Sequence, residues 1–338
     1  LPATHAHFAL HLAWSLTPSD LLALLPLLAL GALVYALVLL GWLTFKLAKP
    51  PRRTFAVALA QGRPADPSQL PQARPFREFT FAFAGLQLHA WDVPGDDPAG
   101  PICVLTHGFG DSRLGGLSRV PTLVPCCSRI VLWDMPGHGE SPGSCAQGTH
   151  EVLALLALLG TLPEERKLVL FGWSLGAGVS IACGASWRAT PQAHRLAGII
   201  AESPYRFART PAANVLRSMG MPSGVWLQAA LGLIALSPPK PPKPFAMRDE
   251  VFDRARFAAS LRGVPLLVLH GSDDHVSPIA DGRAIAEAAG GTLIELPGGG
   301  HFGLWTEGVH TERCTQAVQE LLRGITGETP VPPVAGGL

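Results

Sequence analysis

Apolar positions along this chain fall into short uninterrupted runs, separated by breaks rich in glycine, proline and aspartate. The runs Pro101–Thr106, Arg129–Trp133, Lys167–Phe171, Val264–Leu269 and Thr292–Leu296 are rich in valine, isoleucine and leucine. Continuous rather than alternating hydrophobicity predicts buried strands. The pattern changes near residue 76. Phe79, Phe81 and Phe83 share one face of a strand, and Leu86, Leu88 and Ala90 begin another. This alternation predicts a hairpin and an antiparallel entry to the sheet.

Two segments depart from the strand-and-helix rhythm. Residues 21–45 are leucine-rich, with Trp42 and Phe45 near one end, and carry no charge between Asp20 and Lys46. As a helix this stretch is roughly 37 Å long, enough to cross a hydrocarbon core of about 30 Å with tilt. A cleaved signal peptide and a buried core helix are the competing readings. The run is long for the first, no lysine or arginine precedes it, and a core helix seldom goes so long without charge. The expectation is a single transmembrane helix after an N-terminal tail (1–20), kinked at most by Pro26. Lys46, Lys49, Arg52 and Arg53 follow it directly. By the positive-inside rule they place the rest of the chain in the cytoplasm. Residues 46–75 read as a basic, proline-rich tether, and 326–338 as a disordered tail.

The second segment is 203–263, far too long for a simple connection, and it is expected to form a cap. Asn214–Leu236 is apolar and helical in pattern, Ser237–Pro244 breaks it, and Asp249–Leu261 suggests a further helix. Met219, Met221 and Trp226 could roof an acyl pocket; plain cap packing explains them equally well.

Composition narrows the classes. Hydrophobic residues make up 48% and charged residues 15%, so a large core is available. The formal net charge is +1, which gives no basic footprint for nucleic acid. Cys126 and Cys127 are adjacent, and the six cysteines show no C-x-x-C spacing. Neither a disulfide framework nor a metal site is expected, and no cofactor.

The strongest chemical signal is Gly172-Trp173-Ser174-Leu175-Gly176. This G-x-S-x-G follows a predicted strand and opens a predicted helix. A serine on such a turn is held in strained geometry with its hydroxyl clear of the sheet. A nucleophilic serine also needs a base, a group that orients the base, and donors for the oxyanion. Asp273 and Asp274 lie just past the strand ending at Leu269, and His301 follows three glycines after the last strand.

In these motifs and their order, residues 76–325 resemble the α/β-hydrolase family. The resemblance implies an α/β-hydrolase fold: a mostly parallel central sheet, helices on both faces and a helical cap insertion. It implies Ser174 as nucleophile, His301 as base and, from the pattern G-x-x-D-x-x-x-P, Asp274 rather than Asp273 as the acid. Glu202 is the alternative acid, since some relatives place theirs after the preceding strand. The backbone amides of Leu175 and Phe109, the latter on a loop resembling the family's H-G-x-x turn, are the expected oxyanion donors. His107 is then a buttress, and Asp134 and His138, in the D-x-P-G-H-G-x-S loop, are loop architecture. Trp173 and Glu202 are expected at the rim of the pocket. His275 and His310 are read as surface residues.

The implied activity is a membrane-anchored serine esterase, lipase-like or thioesterase-like, acting on a small-molecule or lipid acyl substrate. A prolyl-oligopeptidase-like peptidase and a cofactor-free haloperoxidase use the same triad and stay open. So does a tethered scaffold without catalysis. Oligomeric state is not legible from the sequence.

Overall fold

The computed structural model describes residues 18–221, 223–236, 252–306 and 308–327. The strands are β1 (Arg77–Phe83), β2 (Leu86–Pro94), β3 (Ile102–Thr106), β4 (Arg129–Trp133), β5 (Leu168–Trp173), β6 (Leu196–Glu202), β7 (Leu266–Gly271) and β8 (Thr292–Leu296). They form one eight-stranded sheet in the order β1-β2-β4-β3-β5-β6-β7-β8. β1 and β2 are the expected hairpin, with Phe81 opposite Leu88. Its turn residues, Ala84 and Gly85, take φ of 49° and 78°, the left-handed conformation that a two-residue type I′ turn requires. β2 runs antiparallel to β4, and β3 to β8 are all parallel.

The helices are α1 (Pro18–Ala48), α2 (Phe55–Ala60), α3 (Val120–Leu123), α4 (Thr149–Leu159), α5 (Leu175–Trp187), α6 (Arg209–Ser218), α7 (Val225–Ala235), α8 (Arg254–Ala259), α9 (Ile279–Ala289) and α10 (Gly308–Thr326). The strands are apolar throughout because helices cover both faces. Along β5, Leu168 and Leu170 pack with Leu155 of α4, Val179 of α5 and Ile285 of α9. Val169 and Phe171 point the other way, toward Val120 of α3 and Val318 and Leu322 of α10.

The chain passes from β3 to β4 on one side and then crosses to β5 on the other. The strand order therefore reverses about β3. The loops leaving the carboxyl ends of β3 and β5 diverge there and open a crevice, where open α/β sheets place their ligands.

The described part of the cap is α6 and α7. α8 is shorter than the helix expected over 249–261. Ala255 and Ala258 bury it in the main core, against α5 and α9, instead of in the cap. Residues 237–251, with the proline-rich break, lie outside the described residues, as do the ends 1–17 and 328–338.

The N-terminal segment differs most from expectation. α1 continues to Ala48. Residues 22–35 are exposed along their whole length, but the last turns carry a buried stripe. Leu39 and Leu43 pack against Leu227, Ala230 and Leu231 of α7, with Leu40 and Leu47 alongside.

The stretch 46–75, expected as a loose tether, is fastened to the domain. Cys145 N–H donates to Ala48 O at 2.9 Å, and Gln147 Nε2 to Leu47 O at 2.8 Å. Lys49 Nζ reaches Gly143 O at 2.8 Å. Arg52 Nη1 donates to Gly139 O and Ser141 O at 3.0 and 2.9 Å, and Arg53 Nη1 to Asp111 Oδ1 at 3.1 Å. Three of the four cations that follow the apolar run thus act as donors that hold this strap on the D-x-P-G-H-G-x-S loop and beside the turn after β3. Their acceptors are mostly backbone carbonyls, which leave no trace in a sequence pattern.

Leu43 is 1% exposed and Val34 is 52% exposed on the same helix. Leu43→Ala should cost about 2 kcal/mol or more in detergent, as buried leucine truncations do. Val34→Ala should cost within about 0.5 kcal/mol. Thermal unfolding of the purified full chain reads the difference; equal midpoints would mean that α1 is a free tether.

Candidate active site

The turn from β5 to α5 is built around two close approaches. A Cβ on Gly172 would lie 2.1 Å from Gly176 O, and one on Gly176 would lie 1.9 Å from Thr106 O. No other residue fits either position. Between them Ser174 takes φ 51° and ψ −117°, outside the ordinary regions for a side-chain-bearing residue and worth about 1–3 kcal/mol of strain. Neighbouring strands hold the serine there: its N–H donates to Glu202 O at 2.9 Å. The strain aims Oγ into the crevice between β3 and β5.

Two loops bring partners to that hydroxyl. His301 Nε2 lies 2.9 Å from Ser174 Oγ, and His301 Nδ1 lies 2.7 Å from Asp274 Oδ2. An ionised carboxylate can only accept, so Nδ1 carries the proton and Nε2 is free to take one from the serine. Asp274 is 5% exposed. Burial pushes its carboxyl up, but His270, His301 and the Ser277 amide together outweigh burial and hold it below the usual carboxylate range. Val276 and Ser277 N–H donate to Oδ1 at 2.9 and 2.7 Å.

His270, buried at the end of β7, was not singled out by the sequence. Its Nε2 donates to Ser277 O at 2.8 Å and lies 3.3 Å from Asp274 Oδ2. The available signal was a histidine four residues before the acid, on the last turn of a buried strand.

The other carboxylates are occupied. Asp273 Oδ1 accepts from Ser272 Oγ at 2.7 Å and stays on the surface side of the loop. Glu202 is 3% exposed and is gripped by Arg119 Nε and Nη2 at 2.9 and 2.7 Å and by Trp305 Nε1 at 2.7 Å. It is a buried ion pair rather than a pocket-rim group, because β6 carries it inside the layer where Arg119 and Trp305 converge. Trp173 is also placed differently from expectation. The alternation along β5 turns it to the same face as Phe171, where it is 8% exposed. Its ring lies 4.0 Å from the Arg119 guanidinium carbon, and its Nε1 donates to Asp111 Oδ2 at 3.2 Å.

Leu175 is the first residue of α5, where a backbone amide has no intrahelical partner. Phe109 follows Gly108 on the turn after β3, and a Cβ at Gly108 would sit 3.4 Å from Ser174 Cβ. His107 holds that turn from beneath. Its Nε2 accepts from Met135 N–H at 3.0 Å, so Nδ1 carries the proton and donates to Gly108 O at 2.8 Å. Burial lowers its pKa to about 4, which keeps the buttress neutral. His138 is likewise pushed down, to about 3, by burial, and donates to Pro136 O at 3.1 Å. Asp134 accepts the Arg113 and Glu140 amides at 2.7 and 3.0 Å. Both are loop architecture.

The cap residues divide. Met221 and Trp226 pack partly buried into the α1–α7 cluster, and Met219 is 66% exposed at the end of α6. The cap thus gives part of Met221 and Trp226 to its contact with α1 and leaves Met219 exposed. α6 reaches the acid loop through Asn214 Nδ2, which donates to Val276 O at 2.8 Å.

One cluster could suggest a cation. Glu78, His89 and Glu140 hold ligand atoms within 4.8 Å of one another. The Arg113 guanidinium already donates to Glu78 at 2.7 Å and to Glu140, so the cluster has its positive charge.

An ionised acid, a histidine and a strained serine at a sheet switch point define a serine hydrolase of the α/β type. Residues 103–313 match the family model described as the alpha/beta hydrolase family. The chain belongs to that family and is a hydrolytic enzyme of the esterase type. It is 28% identical over 232 residues to a pimeloyl-[acyl-carrier protein] methyl ester esterase of Chromobacterium violaceum, covering 60% of this chain and 87% of the relative. It is 29% identical over 266 residues to the dihydrolipoyllysine-residue acetyltransferase component of the acetoin cleaving system of Pseudomonas putida, covering 71% of this chain and 67% of that one. Among solved structures, an esterase of Pyrococcus furiosus superposes with TM-score 0.60 at 19% identity, over 82% of this chain and 99% of that chain. An esterase of Thermogutta terrifontis gives 0.51 at 22% identity, over 74% and 99%.

The strain at position 174 has a measurable consequence. Ser174→Gly should be more stable than Ser174→Ala by about 1 kcal/mol, because glycine enters this backbone region freely and alanine does not. Paired denaturant titrations read it; an alanine variant as stable as the glycine one would show the turn to be unstrained.

Proposed function

We propose that this chain is a membrane-anchored serine hydrolase that cleaves carboxylic ester or thioester bonds of a lipid or other acyl substrate. The observation that carries the reading is the hydrogen-bonded series Ser174–His301–Asp274, with contacts of 2.9 and 2.7 Å. Ser174 Oγ attacks the acyl carbon while His301 Nε2 takes its proton. The carbonyl oxygen becomes an oxyanion held by the Leu175 and Phe109 amides, at about 3 kcal/mol per donor. The tetrahedral intermediate collapses, and His301 returns the proton to the departing alcohol or thiol. Water then repeats the sequence on the acyl-enzyme. Asp274 fixes the imidazole tautomer and stabilises the imidazolium. The chemistry named for the Chromobacterium relative favours an ester over an amide.

The membrane reading rests on α1. Residues Leu22–Ala48 form a helix long and apolar enough to span, with none of its most apolar window buried. The packing of Leu39 and Leu43 on α7 supports a permanent anchor over a removable leader, since cleavage would expose that face of the cap. The four basic residues after the span favour a cytoplasmic catalytic domain.

Ser174→Ala should abolish labelling by a fluorophosphonate probe and turnover of p-nitrophenyl esters. Asp274→Asn should lower kcat by about 10⁴, whereas Asp273→Asn should leave it within a few-fold. Sensitivity at Asp273 or Glu202 instead would overturn the assignment. Because Asp274 is held below the usual carboxylate range, its own titration should not contribute to the acid limb of log kcat/KM. That limb should rise with unit slope; a slope of two would place a second titrating group in the mechanism. Protease digestion of the hydrolase domain in intact spheroplasts would contradict the proposed orientation.

A further inference from the structure

The length of α1 and its packing on the cap do not fit a helix that hangs below a soluble domain. A hydrocarbon core of about 30 Å needs about 20 helical residues. Residues 22–35 are free of the domain on every side, and they supply only about 21 Å. Asp20 bounds the apolar run at the other end. With Leu21 added, the missing stretch, about 8 Å or five residues, must come from Ala36 onward. That is where α1 begins to pack on α7, through Leu39, Leu40 and Leu43. Any tilt of α1 lengthens the requirement. The span is complete only if the part of α1 that lies against the cap is itself within the membrane.

α7 is fitted for that level. Its eleven residues include no charge, and Gln228 is its one strongly polar side chain. Leu227, Ala230 and Leu231 face α1, while Val225 and Leu233 face outward at 70% and 45% exposure, followed by Leu236 at 69%. This outward apolar surface lies on the helix that packs against α1. Resting on the membrane-anchor reading above, we infer that α7 is immersed at the hydrocarbon edge of the bilayer leaflet facing the catalytic domain. The cap is thereby a portal for bilayer-resident acyl esters. α6 links this immersed element to the loop that holds Asp274, through the Asn214–Val276 hydrogen bond. The class of substrate this selects is a membrane-partitioned amphiphile with a long acyl chain.

The test uses the full chain in vesicles of phosphatidylcholine and phosphatidylglycerol. All six native cysteines are buried, so single cysteines introduced as Val225→Cys, Leu233→Cys, Val34→Cys and Gln316→Cys can be labelled with an environment-sensitive fluorophore. Lipids carrying nitroxides at shallow or deep acyl positions then act as quenchers. Immersion by about 5–10 Å predicts that labels at 225 and 233 lose emission to the shallow quencher more than to the deep one. Position 34 should be quenched by the deep probe, and position 316, on α10, by neither. If 225 and 233 behave like 316 while 34 is quenched, the cap is not immersed and the anchor stands. If 34 is not quenched, the anchor itself fails and this inference falls with it.

Discussion

A side chain at position 176 would place its Cβ 1.9 Å from the carbonyl oxygen of Thr106, so only glycine lets the first turn of α5 close against the end of β3. The active-site geometry follows from that approach. It draws the β5–α5 turn tight enough to hold Ser174 at φ 51°. It also sets the free amide at the start of α5 beside the turn that carries Phe109. The strain is sustained by a sheet whose central strands are buried on both faces, and the fold tolerates it because the surrounding core is extensive.

The second constraint is electrostatic. Two buried carboxylates stand near the nucleophile, and their surroundings separate their roles. Glu202 meets a guanidinium and an indole N–H, which fill its acceptor sites and make it a structural ion pair. Asp274 meets two backbone amides and two imidazoles. These hold its carboxyl below the usual carboxylate range without a lysine or arginine beside it.

Ser174, Asp274 and His301 could be read in the sequence because their signals are local: a glycine-spaced serine between strand and helix, an aspartate beyond a strand end, a histidine after glycines. The sheet was legible for the same reason, since burial on both faces writes continuous apolar runs. The N-terminal strap was not. Lys49, Arg52 and Gln147 act on backbone carbonyls about ninety to a hundred positions away, and any residue type supplies a carbonyl. The layer that receives Trp173 is not legible either, because a pattern gives a residue's strand but not which helix layer it faces. For Met221 and Trp226 the sequence leaves pocket and packing equally open, because it does not show that α7 packs on α1. The same hydrophobicity that reads as a span in α1 also supplies the surface on which the cap rests.

The most direct measurement is mass spectrometry of the intact enzyme, quenched within one turnover of a slowly deacylated ester. Covalent catalysis at the strained serine predicts a mass increase equal to the acyl group, localised on fragmentation to Ser174, and absent from Ser174→Ala. Product formed at the normal rate with no acyl adduct, or an adduct on another residue, would contradict it.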